Sequence, residues 1–344
     1  MKRINRIAIM GTGSLGTILG AFLTKGGANV TLVDAWKDHV DTLNQSGAKV
    51  SGCIDMLVPV KATTPDQLKG TYDLFIYLAK QTFNETAIPQ MVAHCHKNSI
   101  ICTGQNGLPE LAVAEYWPKE QICGTTVGWS ATLLGPGESS LTCPVNAPIF
   151  NMHLGTLEGP ATDWLYEIKD LLSIMCPVYI TEQLMNDRWS KVLINATFSG
   201  ISTVINGTFQ DAIYSEKGLE CIVRIGRETI RVCHAMDIKL PPIFGVDFDK
   251  LYDYTDKEGE QKAKEGALSM ASKSGNGKAS MLQDLEKGKK CEISFIDGVV
   301  AQQGKKYGIE TPYTDAVVKI VSEIEEGKRP LSSQNINDMP HLSV

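Results

Sequence analysis

"RIAIMGTGSLGTILGAFLTKGGANVTLVD" (residues 6–34) decides the reading of the first half of the chain. The apolar run RIAIM (6–10) has no polar alternation, as suits a strand buried on both faces of a parallel sheet. GTGSLG (11–16) follows it, and LGTILGAFLTKGG then reads as a helix ending at Gly26-Gly27. VTLVD (30–34) is the next strand. Strand, glycine turn, helix and strand in this order open a doubly wound, Rossmann-type α/β domain. Gly11 permits the tight turn, Gly13 lets the backbone approach a pyrophosphate, and Gly16 allows close helix–strand packing. Thr12, Ser14 and Leu15 complete the loop, and the helix start offers N–H groups and partial positive charge to phosphates. Asp34 lies eighteen residues beyond Gly16. A carboxylate there accepts from the adenosine ribose hydroxyls and repels a 2′-phosphate, favouring NAD(H) over NADP(H). Lys37, three residues on, partly offsets that repulsion.

Further runs, DLFIYLA (73–79) and SIICTG (99–104), read as buried strands of the same sheet. Strand-rich sequence continues through ICGTTVGWSATLLGPG and FNMHLGTLEG to CPVYITEQ. From about residue 181 the spacing becomes helical, in NDRWSKVLINATFSGISTVI, GLECIVRIGRETIRVCHAMDI and TPYTDAVVKIVSEIEEG. Two domains are therefore expected, a dinucleotide-binding domain over 1–180 and an all-helical substrate domain over 181–344. The polar stretch 247–279 reads as a surface helix or long loop, and the last dozen residues as a frayed tail.

Composition narrows the partners. The 344 residues are 43% hydrophobic and 21% charged, with a net charge of −6 that argues against nucleic acid or an anionic membrane. No apolar run reaches the eighteen or so residues of a membrane span, and the N-terminal run is too short for a signal-peptide core, so a cytoplasmic protein is expected. The nine cysteines show no CxxC pair and read as reduced, mostly buried thiols. His94, Cys95 and His96 are adjacent, and adjacent side chains diverge, so no metal site is expected there.

Candidate site residues fall at strand ends and on one helix. In an open α/β sheet, ligands bind beyond the carboxyl ends of the strands, where Lys80 ends one strand and Gln105-Asn106-Gly107 another. A solvated lysine and an Asn-Gly turn are the plain alternatives. In WSKVLINATFSG (189–200), Lys191, Asn195 and Ser199 form a polar stripe at i, i+4 and i+8 on an apolar helix. A lysine there costs desolvation unless an anion meets it; a structural ion pair or a side chain reaching solvent is the alternative. Further on, KASMLQDLEKGKKCEISFIDG holds Ser280, which reads as a cap of the helix SMLQD, and Glu292 before an apolar run.

GTGSLG, AKQ, QNG, GTT, WSKVLINATFSGIS and SMLQDLEKGKKCEISFIDG occur in the order seen in ketopantoate reductases, which the chain resembles over roughly residues 5–325. The resemblance implies a Rossmann-type domain followed by a helical domain like that of 6-phosphogluconate dehydrogenases. It also implies reduction of 2-dehydropantoate to (R)-pantoate with NADP(H) as the usual cofactor, so both dinucleotides stay open. It implies Lys191 as general acid for the C2 carbonyl, with Lys80 and Asn106 lining the nicotinamide and substrate side. Asn195, Ser280 and Glu292 would hold the substrate's carboxylate and hydroxyls, Glu292 also steadying Lys191.

Three departures from that pattern stand out. Ser199 replaces a second asparagine, Asp34 departs from the NADPH preference, and IDG (296–298) replaces Ile-Asn-Gly. The readings that follow are reduction of 2-dehydropantoate, reduction of another 2-oxo acid, or a non-catalytic dinucleotide sensor. Assembly is left open, a homodimer included.

Overall fold

A computed structural model describes residues 4–243, 245–271 and 277–341; residues 272–276 of the polar stretch and the last three of the tail lie outside the described residues. The chain divides into two compact units, Met1–Gln105 with Pro109–Leu184, and Asn106–Leu108 with Met185–Val344. The changeover comes at Leu184, and the short piece Asn106–Leu108 goes with the second unit.

Among the described residues the first unit holds twelve strands: Ile7–Met10 (β1), Val30–Val33 (β2), Ala48–Gly52 (β3), Met56–Val58 (β4), Lys61–Thr63 (β5), Tyr72–Tyr77 (β6), Cys95–Thr103 (β7), Ile122–Val127 (β8), Ala131–Gly135 (β9), Glu138–Leu141 (β10), Met152–Thr156 (β11) and Val178–Ile180 (β12). Eight form one sheet in the order β12-β11-β8-β7-β6-β1-β2-β5. From β5 to β8 the six strands are parallel and follow the 3-2-1-4-5-6 winding of dinucleotide-binding domains, while β11 runs antiparallel to β8. β1 and β2 are buried at every position, because helices such as Ser14–Lys25 (α1) cover the sheet. β3, β4, β9 and β10 form a separate four-stranded sheet. Its strands alternate in burial, as in Ala48–Gly52, so one face is exposed, and the continuous-run signal of the main sheet is missing there. The remaining helices of this unit are Lys37–Ser46 (α2), Asn84–Val92 (α3), Pro109–Val113 (α4) and Asp163–Leu172 (α5).

The second unit is built from Leu184–Ile194 (α6), a π-helical turn at Asn195–Ser199, Gly200–Val204 (α7), Phe209–Tyr214 (α8), Glu216–Ala235 (α9), Phe248–Leu251 (α10), Lys257–Ala271 (α11), Ser280–Glu286 (α12), Asp297–Tyr307 (α13) and Pro312–Glu325 (α14). α9 is its axis, burying Cys221, Ile222, Ile225, Ile230 and Val232 in one core that also takes in Leu108. The polar stretch holds the helix α11, one of the two forms expected for it, whose Ala263 and Ala267 are buried and whose Glu260 pairs with the buried Arg224 at 3.0 Å. One expectation changes here. The tail is packed: Ser333–Asp338 forms a 3-10 turn, Arg329 pairs with Glu323 and Asp338, and Met339 is buried in the helical core.

One contact ties this core together. Thr311, at the N-cap of α14, makes no side-chain cap bond, and Pro312 follows it. Glu228 of α9 supplies the cap instead, its carboxylate accepting from the N–H of Tyr313 and Thr314 at 2.8 Å each and from the Thr314 hydroxyl at 2.7 Å. Burial nevertheless pushes its pKa up to about 7. Glu228→Ala leaves those buried donors unpaired and is expected to lower unfolding free energy by about 2–4 kcal/mol, read from urea midpoints.

Candidate active site

The glycine turn sits where strand order reverses, between β1 and β6. Gly11 has φ +92°, and a Cβ there would stand 2.1 Å from the N of Ala79, so only glycine lets the turn pass under the end of β6. A Cβ on Gly16 would meet the Gly11 carbonyl at 2.3 Å. Gly13 is different: space lies open beyond it, no side chain caps α1, and no acid stands in its first turn. An open glycine at an uncapped helix N-terminus, beside Thr12, Ser14 and Leu15, fits the phosphates of a dinucleotide.

Asp34 closes the other side of this turn. Its carboxylate accepts from the Thr12 N–H at 2.8 Å, from the Thr12 hydroxyl at 3.3 Å and from the Trp36 N–H at 3.0 Å. It is therefore fixed beside the loop. Lys37 is paired with Asp41 one turn along α2. Lys80 follows Ala79, the residue against Gly11, and so stands at the edge of the glycine turn as the N-cap of the 3-10 turn Gln81–Phe83.

The second unit carries Lys191, Asn195 and Ser199. In a continuous α-helix, positions four apart drift by about 40°, so the outer two would stand about 80° apart. The π turn at Asn195–Ser199 winds more slowly and takes back part of that drift, so Ser199 stands nearer the line of Lys191 than a continuous α-helix would place it. Asn195 and Ser199 are half-buried between buried Ala196, Thr197 and Phe198. Lys191 is half-buried too, and enclosure of its amine, with the Arg188 guanidinium close by, draws its pKa down to about 8; the Glu292 carboxylate pulls the other way. Glu292 is buried, at the start of the 3-10 turn Ile293–Phe295. Asn106 belongs to this same unit and is half-buried, next to Gly107 with φ +73° and to Leu108 in the helical core.

The structure therefore brings Lys191 and Glu292 into electrostatic contact, carries Asn195 and Ser199 in the π turn that follows Lys191, and gathers the glycine turn, Asp34 and Lys80 in the first unit. Ser280 departs from its expected role: Ala279 holds the N-cap position of α12 and Ser280, exposed, is the first helical residue. The single-residue shift follows from Ala279 being extended, at ψ 142°. Sequence reasoning missed Arg188, which is 1% exposed; its spacing three before Lys191 was the available signal. His96 of the His-Cys-His run pairs with Asp73 at 3.0 Å, and His94 binds the Gly70 carbonyl. Among the described residues no three His, Cys, Asp or Glu side chains converge as metal ligands, and no helix is long and apolar enough to cross a membrane. All nine cysteines are free thiols, seven of them buried.

Comparison with known proteins agrees with both halves. Residues 7–150 match the family model described as ketopantoate reductase PanE/ApbA, and residues 183–325 match that of its C-terminal region. The 2-dehydropantoate 2-reductase of Streptococcus pyogenes is 25% identical over 92% of this chain and 96% of its own length. That of Lactococcus lactis is 24% identical over 93% and 98%. Among solved structures, a ketopantoate reductase from Ralstonia eutropha superposes with TM-score 0.79 at 20% identity over 94% of this chain and 99% of its own. A D-mandelate dehydrogenase holding NADH and anilino(oxo)acetate gives the same score at 22% identity over 94% and 99%. A glycine turn at the strand-order reversal, a half-buried lysine beside a buried glutamate, and these matches place the chain in the ketopantoate reductase family, as an NAD(P)-dependent oxidoreductase.

Proposed function

We propose that this chain reduces the C2 carbonyl of 2-dehydropantoate to (R)-pantoate, with Lys191 as the proton donor and NADH as the favoured reductant. The observation that carries the reading is the lysine whose amine burial and Arg188 tune to about 8. An acid works best with a pKa near the working pH, and a protonated amine also steadies charge developing on an oxygen. When bound, the reduced dinucleotide supplies the hydride. Lys191 gives its proton to the carbonyl oxygen as that hydride arrives, and Glu292 keeps the amine protonated and accepts from a substrate hydroxyl. Asn195 and Ser280 donate to the substrate, Ser199 extends that line, and Lys80 and Asn106 position the reacting end. Gly11 to Gly16 hold the pyrophosphate. A second copy of the chain in a homodimer is compatible with this reading.

Asp34 supports NADH: its carboxylate is pinned beside the turn, and Lys37 is engaged by Asp41 instead of neutralising it. Ser199 favours a second reading, a related 2-oxo acid, because a hydroxyl reaches less far than an amide. A panel of 2-oxo acids, with 2-dehydropantoate first, separates the two by kcat/KM.

Three outcomes are expected. Lys191→Ala should lower kcat about a thousandfold while the protein folds and binds dinucleotide; near-normal turnover removes the acid role. The rate should fall as pH rises through about 8, because Lys191 must be protonated to donate, and in Glu292→Gln that fall should move to lower pH, since the opposing carboxylate is gone. NADH should exceed NADPH at least about tenfold in kcat/KM, and the reverse preference would refute the role given to Asp34.

A further inference from the structure

Asp297 opens α13 and is wholly buried. Among the described residues neither carboxyl oxygen accepts a hydrogen bond from a partner. This sets it apart from Glu228, whose carboxylate caps a helix through three such bonds. Its surroundings are uncharged in effect: burial pushes its pKa well up, and only its own main-chain N–H opposes that. A carboxyl enclosed without a partner is carried as the neutral acid, which has an O–H to donate.

Gly200 marks where that carboxyl lies. A Cβ built there would stand 2.7 Å from Asp297 Oδ1 and 3.3 Å from the Val317 side chain of α14, so the carboxyl lies against the glycine face. Gly200 also ends the π turn. The N–H groups at that end reach the carbonyls of Asn195 and Thr197, passing over that of Ala196. A π turn displaces a carbonyl from the i→i+4 ladder, and a displaced buried carbonyl needs another donor. The neighbouring Ser199 carbonyl already receives the hydroxyls of Ser202 and Thr203 at 3.1 and 2.7 Å.

We propose that Asp297, as a neutral acid, is a positioning residue that donates to the Ala196 carbonyl and so holds the π turn that brings Ser199 nearer the line of Lys191. The proposal rests on the reading of Lys191 as proton donor for its functional consequence, while the state of the carboxyl itself does not.

Two substitutions test it. Asp297→Asn keeps a neutral donor and should hold kcat within about threefold of the parent; Asp297→Ala removes the donor and should lower kcat at least tenfold, with NADH affinity by fluorescence titration unchanged. Equal kcat in Asp297→Ala and the parent, or an equal loss in both variants, overturns the proposal. Two readouts stand apart from turnover and from the folding of the alanine variant. Infrared difference spectra, parent minus Asp297→Asn at neutral pH, should show a carboxylic-acid C=O stretch, and a carboxylate band in its place overturns the proposal. Amide exchange at Gly200 should match the parent in Asp297→Asn, and faster exchange there overturns it too. If the parent enzyme reduces no 2-oxo acid, the proposed function fails, while the spectra and the exchange still decide the role of Asp297.

Discussion

Enclosure of one amine is the constraint around which the helical unit is arranged. Lys191 sits on a helix whose Trp189, Val192, Leu193 and Ala196 are buried, and Arg188 stands one turn earlier with almost no exposure. Two cations on one buried face repel each other, and that arrangement persists because the buried Glu292 answers part of the charge. The cost to stability is what draws the amine towards neutral pH. A π turn follows on the same helix at Asn195–Ser199.

The first unit solves a different problem, that of bringing a helix N-terminus against a strand end. Gly11 and Gly16 are set by steric contact with the protein itself, at Ala79 and at the Gly11 carbonyl. Gly13 is not, and its open side leaves room for a phosphate. Asp34 ties the turn through the Thr12 N–H, and the proposed preference for NADH rests on the negative charge it holds there.

Legibility followed the strength of the local pattern. β1, β2, β6 and β7 were readable because strands covered on both faces are continuous apolar runs, and α1 because Gly26 and Gly27 end it. The four-stranded side sheet was not separable, since short half-exposed strands such as Glu138–Leu141 carry no sign of which sheet they join. At the site, Lys191, Asn195 and Glu292 were visible as polar residues in apolar stretches. Arg188 was not, and Asp297 stood out only as a departure from the family pattern: an arginine in a helix and an acid at a helix start look solvated until packing buries them. The packed tail escaped for the same reason, because its anchor is a single Met339 amid polar residues.

The central claim is that the fold itself tunes Lys191. The direct measurement is an NMR titration of lysine side chains labelled at Cε, with the Lys191 resonance assigned by its loss in Lys191→Arg. A midpoint near 8 is predicted, and a midpoint near the ordinary 10.5 would contradict the account.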